Sequence, residues 1–195
     1  MNELIQKLKD HIILSSKSPN FLHSDWFIDY HLIIVEKISL ELCDLYKEAD
    51  RDVVQALVWI HDYGKILDMD RQHELNHEAE KLLQEFGFNP LFVKTVMKYL
   101  ELLEQKMEID IRTTPIEVQI VSSADGASHM VGPFMSIHWK EYSSKSISEL
   151  IQSMQNKLKK DWERKIVLPE VRLMFENRYN VLLEQAGNIP NIFLK

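Results

Sequence analysis

The chain has 195 residues, of which 45% are hydrophobic and 27% charged, enough for one well-buried core and too few for two large ones. Five glycines and six prolines disfavour loop-rich and all-β architectures, and a net charge of -7 disfavours a broad surface for a nucleic-acid polymer. One cysteine permits no internal disulfide, and no apolar run reaches the roughly 18 residues of a membrane span. We therefore expect a soluble cytoplasmic protein with no membrane partner.

Apolar residues recur at helical spacing in the first part of the chain and predict two helices. Ser24 is placed to cap the second of them, and His31 lies on or beside its apolar face. Asp50 or Asp52 is placed to cap a third helix.

The third predicted helix ends in a cluster of polar side chains. Its apolar end, Leu57–Ile60, leads directly into His61 and Asp62, followed by Gly64 and Lys65. A charged side chain is costly to bury without a partner, so this imidazole and carboxylate predict partners elsewhere in the chain.

Helix-start signals continue through the rest of the chain. Asn89 precedes a proline at a first helical position, and Thr114 and Ser146 each open a capping-box pattern with a glutamate three residues later. Pro169 starts the last helix. The spacing therefore predicts a single all-α domain of about eight to ten helices.

A few polar side chains within these apolar helices are candidates for a metal site. They are His31, His61, Asp62 and Asp125. Two imidazoles and two carboxylates suit a divalent ion such as Mn, Fe, Co, Ni, Zn or Mg. The simpler alternative is that each histidine is a hydrogen-bonded core residue and that Asp125 is a helix cap or the partner of a buried arginine. The residue types alone leave both readings open.

The order and setting of these residues resemble the HD-domain superfamily of metal-dependent phosphohydrolases. Its members carry a histidine on an early helix, a His-Asp pair ending a later apolar helix, and an aspartate on a helix further along. In this chain His31, the pair His61 and Asp62, and Asp125 match these positions. The resemblance implies that these side chains bind one divalent metal ion, whose identity stays open.

The resemblance is strongest over about residues 20–135. It implies one compact HD-type domain spanning residues 1–195, with residues 146–195 forming C-terminal helices packed on it. The implied activity is hydrolysis of a phosphomonoester or phosphodiester by metal-activated water. A nucleotide or another small phosphorylated metabolite is the implied substrate and partner.

Two alternatives belong to the same superfamily. Two-metal members and di-iron oxygenases carry two further histidines; His77 matches the first, whereas residues 96–101 contain none for the second. A mononuclear site is therefore favoured over a di-iron oxygenase. The other alternative is a regulatory module that binds a nucleotide or other ligand without catalysis, which the complete signature disfavours.

Several residues near the signature are candidates for catalysis or substrate contact. Asp62 and Lys65 are the predicted catalytic pair, although Lys65 could also be a solvated lysine at a helix end. Arg71 is predicted to contact the substrate, and His77 either contacts the substrate or simply caps a helix or faces solvent. His129, four residues after the last signature aspartate, is predicted to orient the substrate or protonate a leaving group, the alternative being a plain core or surface residue.

Two further clusters receive a structural interpretation. The aromatic run from Phe134 to Tyr142 is predicted to pack between helices. The basic run from Lys157 to Lys165 is interrupted by acidic residues and is predicted to be a solvated helix face.

Overall fold

The computed structural model describes residues 1–67 and 72–192, without the side chains of residues 72–75. Every regular element in these ranges is helical, which confirms the all-α prediction. The α-helices are α1 Asn2–Ser15, α2 Ile33–Leu45, α3 Arg51–Ile60, α4 Tyr63–Ile66, α5 Gln72–Glu85, α6 Pro90–Glu104, α7 Ile116–Ser128, α8 Phe134–Glu141, α9 Ile147–Lys160 and α10 Pro169–Gln185. Each helix of the described residues is too short or too polar to cross a bilayer.

Three helix starts agree with the capping signals in the sequence. Asp50 caps α3, and Asn89 caps α6 by accepting a hydrogen bond from the backbone N–H of Phe92 at 2.9 Å. Ser146 and Glu149 form the predicted capping box at the start of α9. These interactions satisfy backbone groups that a helix start leaves without partners.

Two predicted caps are wrong. Ser24 does not begin a helix, because turns precede a π-helical segment, Ile28–Leu32, that leads into α2. The box predicted at Thr114 does not form either, since Glu117 turns inward and accepts a hydrogen bond from the backbone N–H of Asp50 at 3.0 Å. Glu117 therefore ties the start of α3 to α7.

Helices α3 and α7 form the centre of the core. Most residues of both are buried, including the last five of α3 and the last nine of α7. Helix α2 packs against both of them, and α6 also contacts both. Helices α3 and α7 are therefore both packed between α2 and α6.

The segment after α9 lies against α7 at the level of Gly126. It forms a π-helical turn, Asp161–Lys165, whose last carbonyl accepts a hydrogen bond from Ser122 Oγ at 3.1 Å. A Cβ atom on Gly126 would lie 2.9 Å from Ile166 Cγ1 and 3.1 Å from the Cβ of Lys165. The absence of a side chain on Gly126 thus allows this turn to approach α7.

We expect Gly126→Ala to lower the free energy of unfolding by about 1–3 kcal/mol through overpacking. In an unobstructed helix the same substitution stabilises by about 1 kcal/mol, so a loss of stability would indicate that the turn leaves no room for a side chain at this position. Urea denaturation followed by circular dichroism measures it. An increase in stability would contradict the close approach of the turn to α7.

Candidate metal centre

The predicted metal ligands come from three parts of the core. His31 lies in the π-helical segment before α2, a type of local distortion often found at functional sites. His61 and Asp62 follow the last residue of α3, and Asp125 lies in the last turn of α7. The side chains of all four are buried.

The structure brings these four side chains together. His31 Nε2 lies 3.3 Å from Asp62 Oδ2 and 3.9 Å from Asp125 Oδ1. His61 Nε2 lies 3.6 Å from Asp62 Oδ2. Donor atoms that lie close enough to share a metal ion form two triads with His31 in common: His31, His61 and Asp62 in one, and His31, Asp125 and His129 in the other.

The hydrogen bonds of both histidines leave a lone pair on Nε2. His61 Nδ1 donates to the carbonyl of Val58 at 2.8 Å. Ser128 Oγ donates to the carbonyl of Asp125 at 2.7 Å, so it accepts the Nδ1 proton of His31 at 3.0 Å. Such partners set the tautomer of metal-binding histidines.

The Nε2 atoms of His31 and His61 are buried and have no hydrogen-bond partner among the described residues. Both face carboxylate oxygens, which can only accept hydrogen bonds when ionised. A buried acceptor without a partner is destabilising, and a cation between these atoms removes that penalty. Imidazole nitrogens with carboxylate oxygens fit a divalent ion of borderline or hard character.

His129 belongs to the same cluster. Its ring stacks on His31 with centroids 5.2 Å apart and an angle of 3° between the ring planes. Its Nδ1 lies 2.8 Å from Asp161 Oδ2, while its Nε2 lies 3.8 Å from Asp125 Oδ1. Burial, with Lys157 nearby, lowers the pKa of His129 to about 3, so the ring is neutral near pH 7.

Two lysines that were not predicted as site residues form ion pairs with the carboxylate of Asp125. Lys106 Nζ and Lys165 Nζ lie 2.9 Å and 3.0 Å from its Oδ2 atom. Burial alone would raise the pKa of Asp125, but these ammonium groups hold it well below its usual range. Lys165 also lies 2.9 Å from Asp161 Oδ1.

The prediction that the run from Lys157 to Lys165 is a solvated helix face is wrong for Asp161 and Lys165. The side chain of Lys165 is only 9% exposed, and that of Asp161 is 1% exposed. The reason is the π-helical turn, which rotates these residues toward α7. Lys157 is partly buried as well and lies 3.4 Å from Asp161 Oδ2.

Lys65 lies at the opening of the cluster. Its Nζ atom is 2.7 Å from Asp62 Oδ2, and its side chain is 59% exposed. Burial raises the pKa of Asp62, but Lys65 and His61 outweigh that effect and keep it well below its usual range. Lys65 is therefore exposed to solvent while it is paired with a buried carboxylate.

Two cavities adjoin the cluster. The α6 cavity, of about 490 Å³, lies beside Leu100, Glu104 and Met107. The aromatic cavity, of about 290 Å³, is the one lined by Trp26, Phe27, Phe134, His138 and Tyr142. The residues that line both cavities are Asp62, Lys65, Lys106, Lys157 and Lys165.

The remaining predicted contacts lie elsewhere. His77 is exposed on α5 and lines neither cavity. Arg71 lies outside the described residues.

In the aromatic run, Trp139 packs against the core as predicted, whereas Phe134, His138 and Tyr142 face the aromatic cavity.

The family model described as HD domain matches residues 28–130, which is more than half of the chain. The chain belongs to the HD-domain family. Searches among curated proteins and solved structures find no match. Proteins with an HD domain are mostly metal-dependent hydrolases, and the His/Asp cluster of this HD domain is compatible with such a metal site. The matched range ends before Lys157, Asp161 and Lys165.

Proposed function

We propose that the chain is a metal-dependent phosphohydrolase that cleaves a phosphomonoester or phosphodiester of a nucleotide or small phosphorylated metabolite. The observation that carries this proposal is a pair of buried Nε2 lone pairs: that of His31 faces the carboxylates of Asp62 and Asp125, and that of His61 faces the carboxylate of Asp62. Membership of the HD-domain family supports the same reaction class.

A divalent ion held by His31, His61, Asp62 and Asp125 would supply Lewis-acid polarisation of a phosphoryl oxygen and a water of lowered pKa. The side chains of Lys65, Lys106 and Lys157 line the space in front of these ligands. Their ammonium groups offset the negative charge that develops on phosphoryl oxygens during transfer.

His129 has its Nδ1 proton directed at Asp161, so its Nε2 lone pair faces the site. This orientation supports a role as a further ligand or as an acceptor that orients the attacking water or the substrate. It gives less support to protonation of a leaving group, because the Nε2 atom carries no proton in this tautomer.

The proposal includes a cytoplasmic location and a small substrate. The single cysteine, Cys43, is a buried free thiol, as suits a reducing compartment. The net charge of -7 supports a small phosphorylated substrate over a nucleic-acid polymer.

The test combines metal analysis with a panel of phosphorylated metabolites. Protein stripped with EDTA is reloaded with Mn, Fe, Co, Ni, Zn or Mg, and phosphate release is measured for each ion. We expect one ion per chain. We also expect phosphate release to be lost when the metal is removed and in the variants His61→Ala and Asp125→Asn. Two irons per chain with oxygen consumption would favour an oxygenase, and metal binding without turnover of any ester would favour a regulatory module.

A further inference from the structure

The aromatic cavity continues from the metal cluster along a row of rings. His129 lies against Phe134, with ring centroids 4.4 Å apart, and Phe134 lies edge-on to Trp26 at 5.8 Å. His138 and Tyr142 extend the row, with centroids 4.6 Å apart. A group in this cavity is therefore next to whatever is bound at the metal ligands.

A carboxylate lies among these rings. The side chain of Glu141 is 12% exposed, and its Oε1 atom lies 2.9 Å from His23 Nδ1. The same Oε1 atom accepts a hydrogen bond from Trp26 Nε1 at 2.6 Å. Among the described residues no donor bonds to Oε2 of Glu141, which leaves this atom able to accept a hydrogen bond from a ligand.

The charges around the cavity distinguish between possible ligands. Among the described residues that line it, four carry ammonium groups (Lys65, Lys106, Lys157 and Lys165), and three carry carboxylates (Asp62, Asp125 and Glu141). Asp161, which pairs with Lys157 and Lys165, brings the carboxylates to four. A bound metal ion makes the total positive. This excess disfavours an organic cation in the cavity and favours a neutral planar group that donates hydrogen bonds.

We propose that the aromatic cavity binds the base of a nucleotide and that Glu141 Oε2 accepts a hydrogen bond from an exocyclic amine of that base. Aromatic side chains stack on the faces of bases, and a carboxylate is a suitable acceptor for the amine of cytosine. A base with a carbonyl at the same position would place two acceptors against each other. This inference rests on the proposed function, because it takes the phosphate to lie at the metal ligands.

The first experiment compares matched nucleoside monophosphates in the metal-loaded protein. The pairs are cytidine with uridine monophosphate and adenosine with inosine monophosphate, which differ by an amine or a carbonyl. We expect kcat/KM to favour the amine member by about 10- to 100-fold. In Glu141→Gln the amide oxygen can still accept from Trp26 while the amide nitrogen donates, so the ratio should fall to about one or below.

Glu36→Gln is the matched control. Glu36 Oε1 also accepts a hydrogen bond from an indole, that of Trp59 at 3.0 Å, and the side chain is 14% exposed. Glu36 lines neither cavity beside the metal cluster. The same chemical change at Glu36 should leave the substrate ratio as it is in the unaltered protein.

A ratio near one in the unaltered protein, or a ratio that Glu141→Gln leaves unchanged, would overturn the inference. Failure to release phosphate from any ester would instead overturn the proposed function. In that case titration calorimetry with cytidine and uridine tests the cavity alone, since nucleosides carry no phosphate. Tighter binding of cytidine that is lost in Glu141→Gln supports the inference, and equal or undetectable binding refutes it.

Discussion

Replacing Asp125 with Ala is expected to abolish both metal retention and phosphate release. Asp125 Oδ1 faces His31 and His129, so the substitution removes an oxygen donor from the middle of the cluster. Loss of a residue that merely orients a ligand costs about 10- to 100-fold in affinity or activity, so loss of the ligand itself should cost more than about 100-fold. Metal analysis and steady-state kinetics measure the two effects.

The Ala variant also leaves Lys106 and Lys165 without their carboxylate, which lowers stability on its own. Asp125→Asn is the less disruptive variant: it also removes the charge, but it keeps the shape of the side chain and an oxygen that can accept hydrogen bonds from these lysines. We expect Asp125→Asn to fold, to lose its bound metal, and to show no rise in thermal stability when metal is added. Asp110→Asn is the control, since Asp110 forms an exposed ion pair with Arg112. Full metal content and full activity in Asp125→Asn would refute the assignment.

Lys165→Met should produce the largest loss of stability. Lys165 Nζ lies within 3.0 Å of carboxylate oxygens of both Asp125 and Asp161, and both of those side chains are buried. Their negative charge raises the pKa of Lys165 in spite of its burial. Removing one partner of a buried ion pair typically costs about 3–5 kcal/mol, because the other charge stays buried.

Urea denaturation with and without a divalent metal tests this expectation. Lys159→Met, at an exposed position of α9, is the control and should change stability by less than about 0.5 kcal/mol. A metal ion that binds at Asp125 replaces part of the missing positive charge, so the loss in Lys165→Met should be smaller in the metal-loaded protein. A loss no larger than that of Lys159→Met would contradict the buried role of Lys165.

Local signals predicted the helices and the core of the metal cluster. Asp50, Asn89 and Ser146 cap helices by bonding to backbone groups a few residues away, which is information that a short stretch of sequence contains. The candidate ligands His31 and Asp125 were recognisable because the order of polar residues on apolar helices is itself a pattern. These features depend little on how distant elements pack.

Contacts between distant elements could not be predicted in the same way. Glu117 fits a capping box by its spacing, but the backbone N–H of Asp50 competes for its carboxylate. Lys106 and Lys165 resemble any lysine near a helix end until α6 and the π-helical turn pack against α7. The lysines around the cluster and the aromatic cavity are therefore products of tertiary packing. Lys157, Lys165 and the rings of the cavity from Phe134 to Tyr142 also lie outside the range that the HD-domain family model matches.

The lysines around the cluster also bear on the order of assembly. Lys65 pairs with Asp62, and Lys106 with Asp125, so neither carboxylate of the proposed metal site needs a metal to balance its charge while the chain folds. Small metal-binding domains such as zinc fingers, whose folding free energy comes from the metal, stay unfolded until they are loaded. This chain is expected to fold first and to take up its ion afterwards, so a shortage of metal would leave an inactive reserve of folded protein rather than degraded chains.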